Sequence, residues 1–276
     1  MAESSSRLAR LLLRYFAPLS SLRRVPILGP SLSWISRRLV PRNALVWAQI
    51  QRGLAAALRI RLNPRSGQNV LQGIGEPQVQ QALLDHLRPG MTFYDLGANI
   101  GYFSLLAAHL VGPSGRVVSF EADPENALRL RENLASNNYL HALVEQKAVW
   151  SQSGPLSFDR VDSSTSPDRG LGHVAAPSDG YAHAPSVSDQ IPVEGVSLDD
   201  YTSSHPLPDF LKCDVEGAEG AVFEGAARLL REHRPILLVE MHSPENHAFL
   251  AREFAALGYS CRNLDENHLL ALPPQS

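Results

Sequence analysis

The run FYDLGANIGYFSLL (residues 93–106) begins as a buried strand, breaks at Asp95, Gly97, Asn99 and Gly101, and resumes as a helix from about Ile100. Ile100, Phe103, Ala107 and Leu110 fall on one face of that helix. A strand that stops at small residues in front of a helix N-terminus is a common holder of nucleotide-like ligands, because open α/β sheets bind at the carboxyl ends of their strands, beside the switch in strand order. Gly97 and Gly101 remove side chains where backbone must approach a ligand, and Ala98 and Asn99 keep the turn narrow. Asp95 can accept hydrogen bonds from a ligand amine or from the N–H groups of the loop itself.

Working outward, GRVVSFEAD (115–123) reads as the next strand, and Glu121 at its end, 20 residues past Gly101, is placed to accept two ribose hydroxyls. The competing reading makes Asp95 an external helix cap and Glu121 an exposed strand-end acid. The glycine spacing narrows the ligand. A dinucleotide fingerprint needs glycine at relative positions 0, 2 and 5, where this chain, counted from Gly97, has Asn99 at 2 and Tyr102 at 5. No G-x-x-x-x-G-K-[ST] run occurs either. A phosphate-free ligand, cationic near its reacting centre and carrying an amino-acid end, suits an acid-bearing turn better.

From residue 77 onward short apolar runs alternate with helix-period segments, which predicts an α/β fold with a parallel sheet flanked by helices. GEPQVQQALLDHLRPG reads as a helix entered at Pro77, and LRIRLNP (58–64) before it as a strand. Asp123 and Pro124 open a helix with Ala127, Leu130 and Leu134 inward. A third strand lies near HALVEQKAVW, and residues 151–196, rich in Ser, Pro, Gly and Asp, read as a hairpin insertion. The alternation returns with the strand DFLKCDV, a helix carrying Val222, Phe223, Ala226 and Leu230, the strand PILLVEM, a helix opened by Ser243 and Pro244, and a closing strand pair, YSCRNL and HLLAL.

At 276 residues and 44% hydrophobic the chain can bury one substantial core. The expected division is an arm over 1–45 and one main domain over 46–276. Residues 1–70 hold 12 arginines, no lysine and one acid (Glu3), about +11, which leaves about −14 for the rest. The arm suits a basic amphipathic helix, hence peripheral membrane contact or a mitochondrial transit peptide, or else a solvated arm on a cytoplasmic protein. Its arginines are scattered and no aromatic ladder accompanies them, so no nucleic-acid partner is expected. Cys213 and Cys261 lie in strand-like runs, which fits reduced thiols better than a disulfide framework. No run of 18 apolar residues is present.

FYDLGANIGYFS, VVSFEADPEN, LKCDVEGAE and ILLVEMH, in that order and spacing, resemble the FkbM-type methyltransferases, a branch of the class I S-adenosylmethionine-dependent enzymes, over roughly residues 70–262. The resemblance implies a Rossmann-like seven-stranded, mostly parallel sheet with helices on both faces and the last strand antiparallel. It implies S-adenosylmethionine as methyl donor and a small-molecule hydroxyl acceptor on a sugar, lipid or other natural product. By the same similarity Asp95, Gly97, Asn99 and Gly101 surround the methionine part, Glu121 holds the ribose, and the segment with Gln146 and Ala148 lies near the adenine. Ala122 stands where the family more often has proline, which leaves the following turn less defined.

On the acceptor side, LKCDVEGAE puts Lys212, Asp214 and Glu216 on one face if the strand persists that far, and Glu240 and His242 repeat the period on a neighbouring strand. Such a cluster is costly to bury unless paired, so it lines a polar cleft; the bland alternative is an ion pair of Lys212 with Asp214 or Glu240 that fastens strand ends. The order of candidates for general base is Asp214, His242, Glu240, with Lys212 keeping Asp214 ionised. Asp214, Glu240 and His242 also suit a divalent cation, though no metal is expected. His86 and His109 read as surface or boundary residues, and His173, Tyr181 and His183 as parts of a solvated loop. Two other functions compete: a nucleotide-dependent oxidoreductase, which would need the missing glycines, and a binding module that holds the cofactor without turnover.

Overall fold

The computed structural model describes residues 44–161, 172–174 and 187–274, so most of the basic arm, Tyr181 and His183 lie outside the described residues. They fall into two compact units, divided after residue 75. The smaller pairs β1 (Val46–Gln49) antiparallel to β2 (Arg59–Leu62) and carries one short helix, α1 (Gln68–Gln72). The helix stops at Gly73, where a Cβ would strike the Arg52 carbonyl.

The larger unit starts with α2 (Pro77–His86), β3 (Thr92–Leu96), α3 (Tyr102–Val111), β4 (Arg116–Phe120), α4 (Pro124–Ser136) and β5 (Ala142–Glu145). Then come β6 (Ala148–Val149), β7 (Gly154–Val161), β8 (His173–Val174), β9 (Val187–Val196) and α5 (Leu198–Tyr201). It ends with β10 (Phe210–Cys213), α6 (Glu219–Glu224), α7 (Ala227–Glu232), β11 (Ile236–Glu240), α8 (Pro244–Ala256), β12 (Ser260–Asn263) and β13 (His268–Leu272). Seven strands form the main sheet in the order β12-β13-β11-β10-β3-β4-β5. All neighbours from β11 to β5 are parallel, and β13 runs antiparallel to both β11 and β12, so the last strand alone is reversed, as expected.

Register and the two-residue period of a strand decide which side chains share a face. Tyr94, Leu96, Val118, Phe120, Leu211, Cys213, Leu237 and Val239 form one cluster with Leu198, Val222, Phe223, Leu229, Leu250 and Phe254 of α5 to α8. The alternate residues face the other way. Asp95 pairs with Lys212, Lys212 with Leu238, and Glu240 with His268, which puts Asp95, Lys212, Glu240 and His268 on the opposite face. There the Ser104 hydroxyl of α3 reaches Asp95. Helices that follow β3 and β4 therefore leave on one side and those that follow β10 and β11 on the other, so the strand order switches between β3 and β10. Neither β10 nor β12 forms a disulfide: Cys213 and Cys261 are free thiols.

Three local expectations change. The third strand is two pieces: β5 stays in the main sheet, while β6 joins a second sheet of order β6-β9-β7-β8 built by the hairpin insertion. The helix expected across Val222 to Leu230 breaks into α6 and α7 at Gly225, where a Cβ would lie 2.4 Å from the Trp150 carbonyl oxygen. The helix after the glycine turn begins at Tyr102, because Asn99 and Gly101 both have positive φ. Among the described residues no helix is long and apolar enough to cross a membrane.

Gly97 has φ +74°, and a Cβ on it would lie 1.8 Å from the Asp214 carbonyl oxygen, whereas Gly258 (φ +86°) would meet only Pro274 at 3.7 Å. We expect Gly97→Ala to lose about 3–5 kcal/mol, backbone strain plus overpacking, and Gly258→Ala only about 1–2 kcal/mol of strain. Urea midpoints at unchanged slope measure both. Equal losses would show that the close approach of the two strands costs nothing.

Candidate active site

The carboxyl ends of β3, β4, β10 and β11 lie side by side at the switch in strand order, where Asp95, Glu121, Lys212, Asp214, Glu240 and His242 are found. Asp95 is buried at the end of β3, where its Oδ2 accepts from Ser104 Oγ at 2.5 Å and Ser119 Oγ in turn donates to Ser104 Oγ at 2.8 Å. It does not cap α3, whose N-cap, Gly101, has no side-chain acceptor. Its Oδ1 is buried, lies 3.7 Å from Lys212 Nζ and takes no hydrogen bond.

Glu121 closes the other side of the glycine turn. Its Oε2 accepts the Asn99 N–H at 2.8 Å and its Oε1 the Asp123 N–H at 2.9 Å, so the acid is bound into the turn rather than left as an exposed strand end. The Asn126 side chain gives the carboxylate a further hydrogen bond. Burial pushes the pKa up to about 7, against the pull of the two backbone donors. Asp123 caps α4 by accepting from Glu125 N at 2.7 Å, and Arg160 of β7 reaches across to Asp123 at 2.8 Å and Glu125 at 3.0 Å. The insertion is thereby tied to the turn that follows Glu121. Beyond β5, Gln146 is exposed and Ala148 is buried in β6.

The glycines act differently from the sequence reading. The space a Cβ would take at Gly97 is filled by the Asp214 carbonyl, and at Gly101 by Leu130 Cδ1 at 2.2 Å, so both let protein approach protein. The unsatisfied groups lie beside them. Asp95 Oδ1, Asn99 Oδ1 and Tyr102 Oη are buried and without hydrogen-bond partners. Buried polar atoms left bare at a cost of about 1–3 kcal/mol each need a reason, and a polar ligand carrying an amine and hydroxyls fits these acceptors.

On the β10 side, Lys212 is 3% exposed and donates from Nζ to Asp214 Oδ2 at 3.1 Å, with the Phe103 ring 5.2 Å away. Burial acts to lower its pKa, but Asp214 and Asp95 outweigh that and hold the ammonium charged. Burial, reinforced by Glu240, raises Asp214 while Lys212 pulls it down. The expected Lys212–Asp214 ion pair therefore forms, and Asp95 joins it.

Glu216 reaches this cluster by a different route from the one expected. Strand β10 ends at Cys213, and Glu216 has φ +54°, so a turn rather than strand alternation brings it to 3.3 Å from His242 Nε2. The other His242 nitrogen, Nδ1, lies 2.7 Å from Glu219 Oε1, while Asn246 Nδ2 donates to Glu219 Oε2 at 2.9 Å. Glu219 is fully buried. Burial would lower the His242 pKa, yet the bond to Glu219 and the charge of Glu216 raise it to about 9. Nε2 also lies 3.8 Å from Asp214 Oδ1.

Glu240 Oε2 lies 3.5 Å from His268 Nε2. Burial acts to raise the Glu240 pKa, but His268 outweighs it and holds the carboxyl below the usual range. Sequence reasoning missed Ser104, Glu219, Asn246, Glu76, Asp265 and His268. Glu219 was legible as the last letter of LKCDVEGAE. Glu76 and His268, far apart in the chain, carry no local signal. His173, in β8, lies 3.8 Å from Asp159, away from these groups in the hydrogen-bond network.

A family model described as the Methyltransferase FkbM domain matches residues 95–261. The chain is 31% identical over 159 residues to the 31-O-demethyl-FK506 methyltransferase FkbM of Streptomyces tacrolimicus, covering 50% of this chain and 60% of that protein. It is 33% identical over 101 residues to the protein-L-isoaspartate O-methyltransferase of Methanothrix thermoacetophila, covering 35% and 48%. The chain thus spans less than two thirds of the length of these relatives. Among solved structures, the methyltransferase FkbM from Methylobacillus flagellatus superposes with a TM-score of 0.45 at 18% identity, over 70% of this chain and 50% of that one. The family match takes in the glycine turn, Glu121, the Lys212–Asp214 pair and His242 in one continuous span, and the chain belongs to the FkbM methyltransferase domain family, whose methyl donor is S-adenosylmethionine.

Proposed function

We propose that this chain methylates a hydroxyl oxygen of a small-molecule acceptor, a sugar, lipid or other natural product. One observation carries the reading: Asp214, next to a buried ammonium and an imidazole, stands at the end of β10 beside the glycine turn. An alcohol must lose its proton when its oxygen is alkylated, and a carboxylate at that place can take it. The Streptomyces tacrolimicus relative, a 31-O-demethyl-FK506 methyltransferase, supports the same class.

S-Adenosylmethionine supplies an already activated methyl group on a sulfonium, so the protein's work is alignment and proton removal. Asp95 and Asn99, with bare buried oxygens, and Tyr102 would hold the amino-acid end, and Glu121 the ribose hydroxyls. Asp214 is the general base in this reading. Lys212 orients it, and His242, anchored through Nδ1 by Glu219, turns Nε2 toward Asp214 and Glu216. Glu240, engaged with His268, drops out of the order of bases. Strand-end alternation alone would have kept it in.

An acceptor screen with isotope-labelled donor, read by mass, tests the class; a product methylated on nitrogen or carbon would overturn it. With an acceptor in hand, Asp214→Asn should lower kcat by about 10²–10⁴-fold while S-adenosylhomocysteine affinity changes little. Unchanged kcat would remove Asp214 from the base role.

Cofactor affinity should follow the charge on Glu121. Its pKa of about 7 in the free protein means that the carboxylate is mostly protonated at pH 6 and mostly ionised at pH 8. Hydroxyl donors favour the ionised form, so S-adenosylhomocysteine should bind about tenfold tighter at pH 8 than at pH 6. Calorimetry on Glu121→Gln should give weaker binding that no longer varies over this range. A variant as pH-dependent as the parent would assign the titration elsewhere.

A further inference from the structure

A second cluster lies behind the catalytic carboxylates and has no part in the reading above. His268, at the start of β13, is 5% exposed. Its Nδ1 lies 2.9 Å from Asp265 Oδ1 and 3.0 Å from Asp265 Oδ2. Asp265 is itself held by the N–H groups of Asn267 and His268 and by the side-chain amide of Gln78 in α2. This fixes the ring with Nε2 pointing away from Asp265. Nε2 is buried and lies between two carboxylates, 3.5 Å from Glu76 Oε2 and 3.5 Å from Glu240 Oε2, at ion-pair distance from both but without a well-formed hydrogen bond to either.

We propose that Glu76, Glu240 and His268 form a binding site for one divalent cation of the manganese or zinc type, with Asp265 setting the imidazole from behind. Three features carry this. The donor atoms all lie within 4.8 Å of one another. A metal about 2.0–2.2 Å from each ligand separates neighbouring ligands by about 3–3.5 Å, so the cluster needs little movement to close on an ion. The carboxylate–imidazole arrangement is that of a metal-bound histidine, whose second nitrogen is commonly held by an acid. Two carboxylates with one imidazole favour manganese or zinc over calcium, which takes oxygen ligands alone. Without an ion the proton on Nε2 occupies the same place, and metal binding releases it.

Asp214, Glu240 and His242 also bring three donor atoms together. That group is the poorer site, since Asp214 is already paired with the Lys212 ammonium, which would repel an adjacent cation, and His242 Nε2 faces Glu216 at 3.3 Å. Glu240 belongs to both groups, so an ion on His268 would sit next to the wall where the acceptor is proposed to bind.

The test uses the purified chain, freed of metal and titrated with Mn²⁺ alone, with binding followed by calorimetry and by loss of the free-ion paramagnetic resonance signal. One ion per chain should bind. His268→Gln should weaken it at least about tenfold, and Asp265→Asn by about 10–100-fold, the range for a group that supports a ligand from behind. His242→Gln should change it less than about twofold, because that ring belongs to the other group. Glu76→Gln, at the half-buried N-cap of α2, replaces His268→Gln should the latter not fold. No Mn²⁺ binding, or binding lost in His242→Gln and kept in His268→Gln, overturns the site. S-Adenosylhomocysteine binding in the same samples keeps the two readings apart. Cofactor binding without Mn²⁺ binding sinks the metal site alone, and Mn²⁺ binding without cofactor binding sinks the methyl-transfer reading alone.

Discussion

A lysine ammonium buried between two carboxylates, at the centre of a parallel sheet, is the constraint around which this site is arranged. Lys212 lies 3.1 Å from Asp214 and 3.7 Å from Asp95, almost wholly out of water. Taking that charge from solvent costs several kcal/mol, and only nearby opposite charge offsets it. Because Lys212 and Asp95 are register partners on adjacent strands, the pair also marks where β10 lies against β3. A one-residue slip would turn Lys212 into the apolar face lined by Leu211 and Cys213 and leave Asp95 without its counter-charge.

That register has consequences on both sides of the switch point. On the β3 side it brings the Asp214 backbone so close to Gly97 that only glycine fits, which couples the glycine turn to the residue proposed as base. On the β11 side it aligns Glu240 with His268. The two halves of the cleft are therefore not independent. The glycine turn, the ion pair and the acidic wall belong to one packing arrangement, in which movement of β10 would disturb each of them.

The carboxyl edge of the sheet is strongly acidic. Asp95, Asp214, Glu216, Glu219, Glu240, Glu76 and Asp265 face one lysine and two imidazoles, and the rise of the His242 and His268 pKa values, to about 9 and about 10, records that excess. A cleft with this balance favours cations and disfavours phosphates. It accords with a cosubstrate that carries a sulfonium and an ammonium, and with a glycine turn whose spacing departs from the dinucleotide pattern.

Much of this was legible in the chain itself. Alternating apolar runs and helix-period segments gave the α/β class, and DLGANIG with Glu121 marked the strand–turn–helix now proposed as the cofactor end, because strand, turn and helix are local and their residues are neighbours in sequence. LKCDVEGAE and the Glu240–His242 pair marked the second wall for the same reason. What they touch was decided only by tertiary structure. Gly97 needed to be glycine because of Asp214, just past the end of β10; Glu216 arrived by a turn and not by strand alternation; and Glu240 paired with His268. The partnership of Glu76, Asp265 and His268 could not be read from sequence, since it depends on an antiparallel last strand returning beside β11 and on α2 reaching over it. Contacts between segments far apart in the chain follow from register and packing, and no local spacing encodes them.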